Sequence, residues 1–116
     1  MAEFLFLFRG GEGHTMDESS EQWKQHMQRW ATWMGDLVQQ GKFVGAQPLT
    51  LAGRTITGTK KVVTDGPYME GKELVGGYMI CKAENFDEAV IISNGCPILE
   101  FENGGVEVRE IREMSM

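Results

Sequence analysis

The sequence predicts an α+β domain: a ferredoxin-like antiparallel sheet with two helices on one face. Three observations predict it. Two short segments, EFLFLFR and ELVGGYMICK, are apolar on both sides of a strand. Two capping-box patterns, SSEQ and NFDE, announce helices. The resulting order is strand, helix, short strands, strand, helix, strand, in which a strand-helix-strand unit recurs loosely in the two halves. With 116 residues, the expectation is one domain over 1–116 with a core of its own.

The elements follow in order. Glu3 to Arg9 is short, aromatic and closed by Gly10-Gly11, which suits a strand better than a turn and a half of helix. Phe4, Phe6 and Phe8 then point one way, and Leu5 and Leu7 the other. Ser19 as N-cap with Gln22 three residues on starts the first helix, and Trp23, Met27, Trp30, Met34, Leu37 and Val38 form its apolar stripe as far as Gly41. KFVGAQPL reads as a strand ended by Pro48, TLAGRTITG as a turn and short arm, and TKKVVT as a strand feeding the turn Asp65-Gly66-Pro67. Glu73 to Lys82 is the second strand apolar on both sides, and its Gly76-Gly77 pair marks a bulge or a close approach by a ligand or partner side chain. Asn85 caps a short helix, FDEAVIIS, with Gly95 expected as a left-handed stop, and GVEVREIRE supplies the last strand.

Strands greasy on both faces need two covers, and a chain with two helices on one face provides one. An identical sheet from a second copy is the simplest second cover, so a homodimer is expected. The net charge of −6, without a basic cluster, argues against nucleic acid and anionic membrane as partners. FLFLF is too short to span a bilayer and lacks the flanks of a signal peptide, so a cytoplasmic location is expected, with Cys81 and Cys96 as reduced thiols. No metal-ligand spacing, phosphate loop or nucleophile elbow is present, so neither metal nor cofactor is expected.

The candidate chemistry centres on His26, which shares a flank of the first helix with Trp30, Trp33 and Leu37. A partly desolvated neutral imidazole suits a general base; the alternative is a boundary histidine bonded to a carbonyl. Asp65 either accepts backbone N–H groups in its own turn or aims a carboxylate into a cavity to orient the imidazole. Trp30, Trp33 and Tyr78 are candidate cavity walls, although tryptophans on one helix are first of all core. Cys96, at a constrained corner before Pro97, is a candidate reactive or ligand-contacting thiol, or, with no neighbouring base in sequence to activate it, an inert packing residue. Arg9 and Arg54 are candidates to bind an anionic ligand, or are solvated strand-end charges.

Thr64-Asp65-Gly66-Pro67-Tyr68, with Glu70-Gly71-Lys72-Glu73 and Gly76-Gly77-Tyr78, resembles the DGPF signature of the YCII-related family, with Tyr68 in place of the usual Phe. The aromatic first strand, SSEQ, NFDEAV and GCPILE extend the resemblance over nearly the whole chain. It implies a dimeric α/β barrel of ferredoxin-like units. It also implies a cavity with a His–Asp pair, the aspartate preceding a proline after the second helix. His26 matches the histidine, whereas Cys96 stands before Pro97, so the carboxylate must come from Asp65 or the chemistry is absent. The expectation is a cofactor-free homodimer in which His26 and Asp65 move a proton on a small organic acid. The alternative is a small-ligand-binding or regulatory module without turnover, linked to transcription as the resemblance implies for some DGPF-type proteins.

Overall fold

The computed structural model describes residues 1–11, 16–66 and 74–114. Pro67, Tyr68 and the Glu70 to Glu73 cluster of the signature lie outside the described residues. The elements are β1 (Ala2–Arg9), α1 (Glu21–Gln39), β2 (Phe43–Pro48), β3 (Arg54–Thr57), β4 (Val62–Asp65), β5 (Val75–Ala83), α2 (Phe86–Ser93), a 3₁₀ turn (Pro97–Glu100) and β6 (Gly105–Glu110). Four strands form one antiparallel sheet in the order β2-β5-β1-β6, and β3 pairs with β4 as a separate two-stranded ribbon. The sheet is open, with β2 and β6 at its edges, and no closed barrel forms among the described residues. No helix among the described residues is long and apolar enough to cross a membrane.

The alternation of β1 decides which face is packed. Phe4, Phe6 and Phe8 lie opposite Cys81, Met79 and Gly77 of β5, and Phe6 and Phe8 lie opposite Val108 and Val106 of β6. Residues directly opposite share a face. That face meets Leu37 of α1, Ala89 of α2 and Ile98 of the 3₁₀ turn in the core. Phe4 and Phe6 are fully buried, each contributing roughly 2–3 kcal/mol of apolar burial. Leu5, Leu7, Tyr78 and Ile80 occupy the reverse face, half-buried among their sheet neighbours.

The Gly76-Gly77 pair does what a strand glycine pair signals. The β1–β5 register slips between Phe8 and Arg9, leaving Gly76 as the bulge residue. A Cβ on Gly77 would stand 3.1 Å from the Gln47 carbonyl oxygen, so the close approach is by the backbone of β2.

Three local expectations are corrected. The N-cap of α1 is Ser20, whose hydroxyl accepts from the Trp23 N–H at 3.1 Å; Ser19 instead donates its hydroxyl to Asp17. Gly41 has the left-handed conformation expected after a helix, whereas α2 ends through Asn94 in right-handed geometry. Gly95 is favoured for another reason: a Cβ there would lie 3.2 Å from the Trp33 ring, closer than an ordinary contact. The core side of α1 is the His26, Trp30, Trp33, Leu37 flank; Met27 and Val38 of the predicted stripe are exposed. Spacing of 4, 3 and 4 along that flank keeps it over the sheet, and the histidine is inside it.

Candidate functional site

His26 is 3% exposed, and both of its ring nitrogens face the protein. One helical turn on, the Trp30 indole N–H donates to His26 Nε2 at 2.9 Å. Indole nitrogen is a donor only, so Nε2 carries the lone pair and the ring proton of the neutral imidazole is on Nδ1. Nδ1 is buried without a hydrogen-bond partner, and the nearest carboxylate oxygen, Glu100 Oε1, is 3.6 Å away. The Phe101 ring closes that side edge-on, 5.1 Å between centroids.

Glu100 is delivered by the 3₁₀ turn that Pro97 initiates. Arg29, three residues beyond His26 on α1, donates to it through Nε and NH2, both at 2.7 Å. This fork holds the Glu100 carboxyl below its ordinary value and raises the guanidinium in turn, although the pair is partly open to solvent. The result is a row running from the core outward: Trp30, His26, Glu100, Arg29. Its two middle members are a buried imidazole whose lone pair is already engaged by Trp30 and a carboxylate locked in an ion pair with Arg29.

Asp65 is elsewhere. It closes β4, its side chain is 95% exposed, and its partner is Arg54 of β3 at 3.4 Å. Its ring partners being Trp30 and Phe101 and its carboxylate neighbour Glu100, His26 is not brought together with Asp65 in the protomer. A shallow cleft of about 570 Å³ lies beside Asp65 at the base of the ribbon, lined by Leu51, Arg54 and Gly66 among others.

The remaining candidates fall into separate places. Trp30 and Trp33 pack on Phe8 with ring centroids 5.0 and 6.1 Å away, and the Trp33 N–H donates to the Ile92 carbonyl at 3.1 Å. Cys96 joins the same core, and burial pushes its thiol up to about 12, where it is inert as a nucleophile. Cys81 is buried in β5 and shifted the same way by the same cause. Tyr78 and Arg9 lie on the open face of the sheet. Arg9 grips Glu107 of β6 through Nε at 3.0 Å and NH2 at 2.8 Å, which lowers the Glu107 carboxyl. The sequence-predicted residues therefore divide among the helix side (His26, Trp30, Trp33, Cys96), the open face (Arg9, Tyr78) and the ribbon (Arg54, Asp65).

Glu100, Arg29 and Glu107 escaped sequence reasoning. Arg29 and Glu100 are 71 residues apart, and ion pairing at that separation leaves no periodic trace. The one usable signal was Pro97, which marks a turn start and so places Glu100 at its end. Among the described residues no group of three His, Cys, Asp or Glu side chains is placed to hold a metal ion.

No curated protein gives a match to this chain. A family model, described as the YCII-related domain, matches residues 3–115, which takes in the aromatic first strand, both helices and the Pro97 corner. The chain belongs to the YCII-related family.

Proposed function

We propose that the chain is a homodimeric, small-ligand-binding module of the DGPF branch, with two ferredoxin-like sheets meeting through their open faces as an α/β barrel. The observation that carries the reading is the uncovered face itself. Leu5, Leu7, Tyr78 and Ile80 form a continuous apolar patch across the two central strands, with the Arg9–Glu107 ion pair along one margin. A patch of this kind, rimmed by charge, is where a partner or ligand docks. A second copy would turn the groove between the twisted sheets into a cavity with tyrosine hydroxyls and ion-paired arginines at its rim, suited to a small organic acid. The single domain spans 1–116.

Binding takes precedence over proton transfer because the His26 lone pair is spent on Trp30 and Asp65 belongs to another part of the molecule. The test is sedimentation together with thermal-shift screening of small carboxylic acids. A self-association step that Leu7→Arg removes, with an acid-induced rise in melting temperature that Tyr78→Ala removes, is the expected result. A folded wild-type monomer without any ligand response would sink the reading.

One observation favours a second reading, a cofactor-free acid–base enzyme: the unpaired, buried His26 Nδ1 faces Glu100. Glu100 then replaces Asp65 as the carboxylate partner, and catalysis requires Trp30 to release Nε2 when substrate enters. Loss of the α-proton of small keto acids into D₂O, followed by NMR and abolished by His26→Asn, would support it; no loss with the wild-type protein removes it.

A further inference from the structure

We propose that the β3–β4 ribbon is a docking arm, and that it inserts into the groove between α1 and α2 of a second copy of the chain. This contact is distinct from the open-face interface and does not depend on it.

The arm cannot stand on its own energetics. Its strands are four residues each and pair with one another outside the main sheet. An isolated two-stranded ribbon is marginal in water. Ile56 and Val63 lie directly opposite one another, so they share a face of the ribbon, and they are 65% and 58% exposed. The tip between the strands is Gly58-Thr59-Lys60-Lys61, with Lys60 and Lys61 exposed. The arm thus presents an apolar pair behind two ammonium groups.

The groove is its complement. A cleft of about 560 Å³ runs between the helices with Trp33, Leu37 and Ile92 in its lining. Asp36, Asp87 and Glu88 bring three carboxylates to it, and the one lining cation, Lys42, is 3.3 Å from Glu88. The helix on its far side is apolar beyond what the protomer uses: Ile91 is 69% exposed, and Val90 and Phe86 are also exposed. A helix apolar on several sides is a helix that something covers. Basic tip against acidic rim and Ile56–Val63 against Ile91 satisfy both surfaces, and the same chain supplies both halves. Such a contact is isologous if two copies exchange arms reciprocally about a two-fold axis, and heterologous if it runs from copy to copy.

Charge swapping tests it by sedimentation velocity. Lys60→Glu/Lys61→Glu and, separately, Asp36→Lys/Asp87→Lys are each expected to weaken self-association about tenfold or more, since like charges then face each other. An equimolar mixture of the two variants is expected to associate again, because every arm then finds a groove of opposite sign. With Leu7→Arg present in every chain to remove the open-face interface, either variant associating like its Leu7→Arg parent, or a mixture that stays dissociated, overturns the proposal. Cross-linking provides a readout that tolerates poor folding of the swapped chains. Lys60→Cys and Asp36→Cys chains, mixed and mildly oxidised, should give a disulfide between the two; the native thiols are buried. No such product, or an equal yield at 1 M and low salt (a Debye length of about 3 Å at 1 M), counts against the arm. Leu7→Arg separates the readings, since it removes the open-face interface and leaves arm docking intact.

Discussion

The two faces of the four-stranded sheet are written by neighbouring residues of the same strands, yet they meet opposite fates. Phe4, Phe6 and Phe8 are buried beneath two helices, while Leu5 and Leu7, the residues between them, remain half-exposed. Composition does not distinguish the faces; the connections do. Both crossovers, β1 to β2 through α1 and β5 to β6 through α2, deliver their helices to the same side. The covered face is therefore a core, whereas the open face keeps its apolar residues half-exposed among the described residues.

The sharpest way to break that contrast is to truncate both faces at adjacent positions. Phe6→Ala should cost about 3–5 kcal/mol in urea unfolding, the range for removing a fully buried aromatic ring. Leu7→Ala, one residue away, should cost less than about 1 kcal/mol at concentrations where the chain is monomeric. Equal losses at the two positions would mean that the open face is covered within one chain. A Leu7→Ala penalty that grows with protein concentration would instead locate the missing cover in a second copy.

Much of this was legible in the sequence. Two strands apolar on both sides, two capped helices and a turn-rich middle suffice to predict an antiparallel sheet with both helices on one face, because each of those signals is local. The Gly76-Gly77 pair was legible as a bulge for the same reason. What was not legible depends on contacts distant in sequence. His26 and Trp30 were rightly placed on one flank by helical spacing, but nothing in that spacing discloses that Trp30 donates to the imidazole or that Glu100 approaches from the 3₁₀ turn. Asn94-Gly95 predicts a left-handed cap, whereas the structure ends the helix in right-handed geometry and sets Gly95 against the Trp33 ring. Asp65 was attractive as a site residue because its turn is conspicuous in sequence; the ribbon to which it belongs leads away from the histidine.

The helix side sharpens the comparison at two further positions. Gly95→Ala brings a methyl group to 3.2 Å from the Trp33 ring, so the indole that donates to the Ile92 carbonyl must shift by a few tenths of an ångström. A loss of about 1–3 kcal/mol is expected, with a shift in tryptophan fluorescence as the Trp33 environment changes. Trp30→Phe keeps the ring against Phe8 but strips the buried His26 Nε2 of its donor, for a loss of about 1–3 kcal/mol. Trp30→Phe should not alter the association state, because it acts behind the covered face, whereas Gly95→Ala disturbs Trp33 in the lining of the cleft between the helices and should leave only the open-face contact unchanged. A defect in the open-face contact from either would mean that the two faces are coupled through the sheet.

The smallest effect expected is a titration, and it compares the rims of the two faces directly. Glu100 on the helix side is held below its ordinary value first by the Arg29 fork, and Glu107 on the open face first by Arg9. For a carboxylate depressed in the folded state, the unfolded chain binds more protons between the two values, so stability rises with pH across that interval. The contribution is complete above the ordinary carboxylate value of about 4.5 and is lost as pH falls through the lower folded value. Glu100→Gln should therefore flatten the fall in stability below about pH 4.5 while leaving association unchanged. Glu107→Gln should flatten it as well, but it also releases Arg9 from its fork at the margin of the open face, and so should change the concentration dependence of melting. Chemical denaturation at several pH values and two protein concentrations distinguishes the outcomes. If both substitutions alter only the acid limb, the Arg9–Glu107 pair is an ordinary surface ion pair; if Glu107→Gln alone adds a concentration effect, that pair belongs to the interface the open face makes.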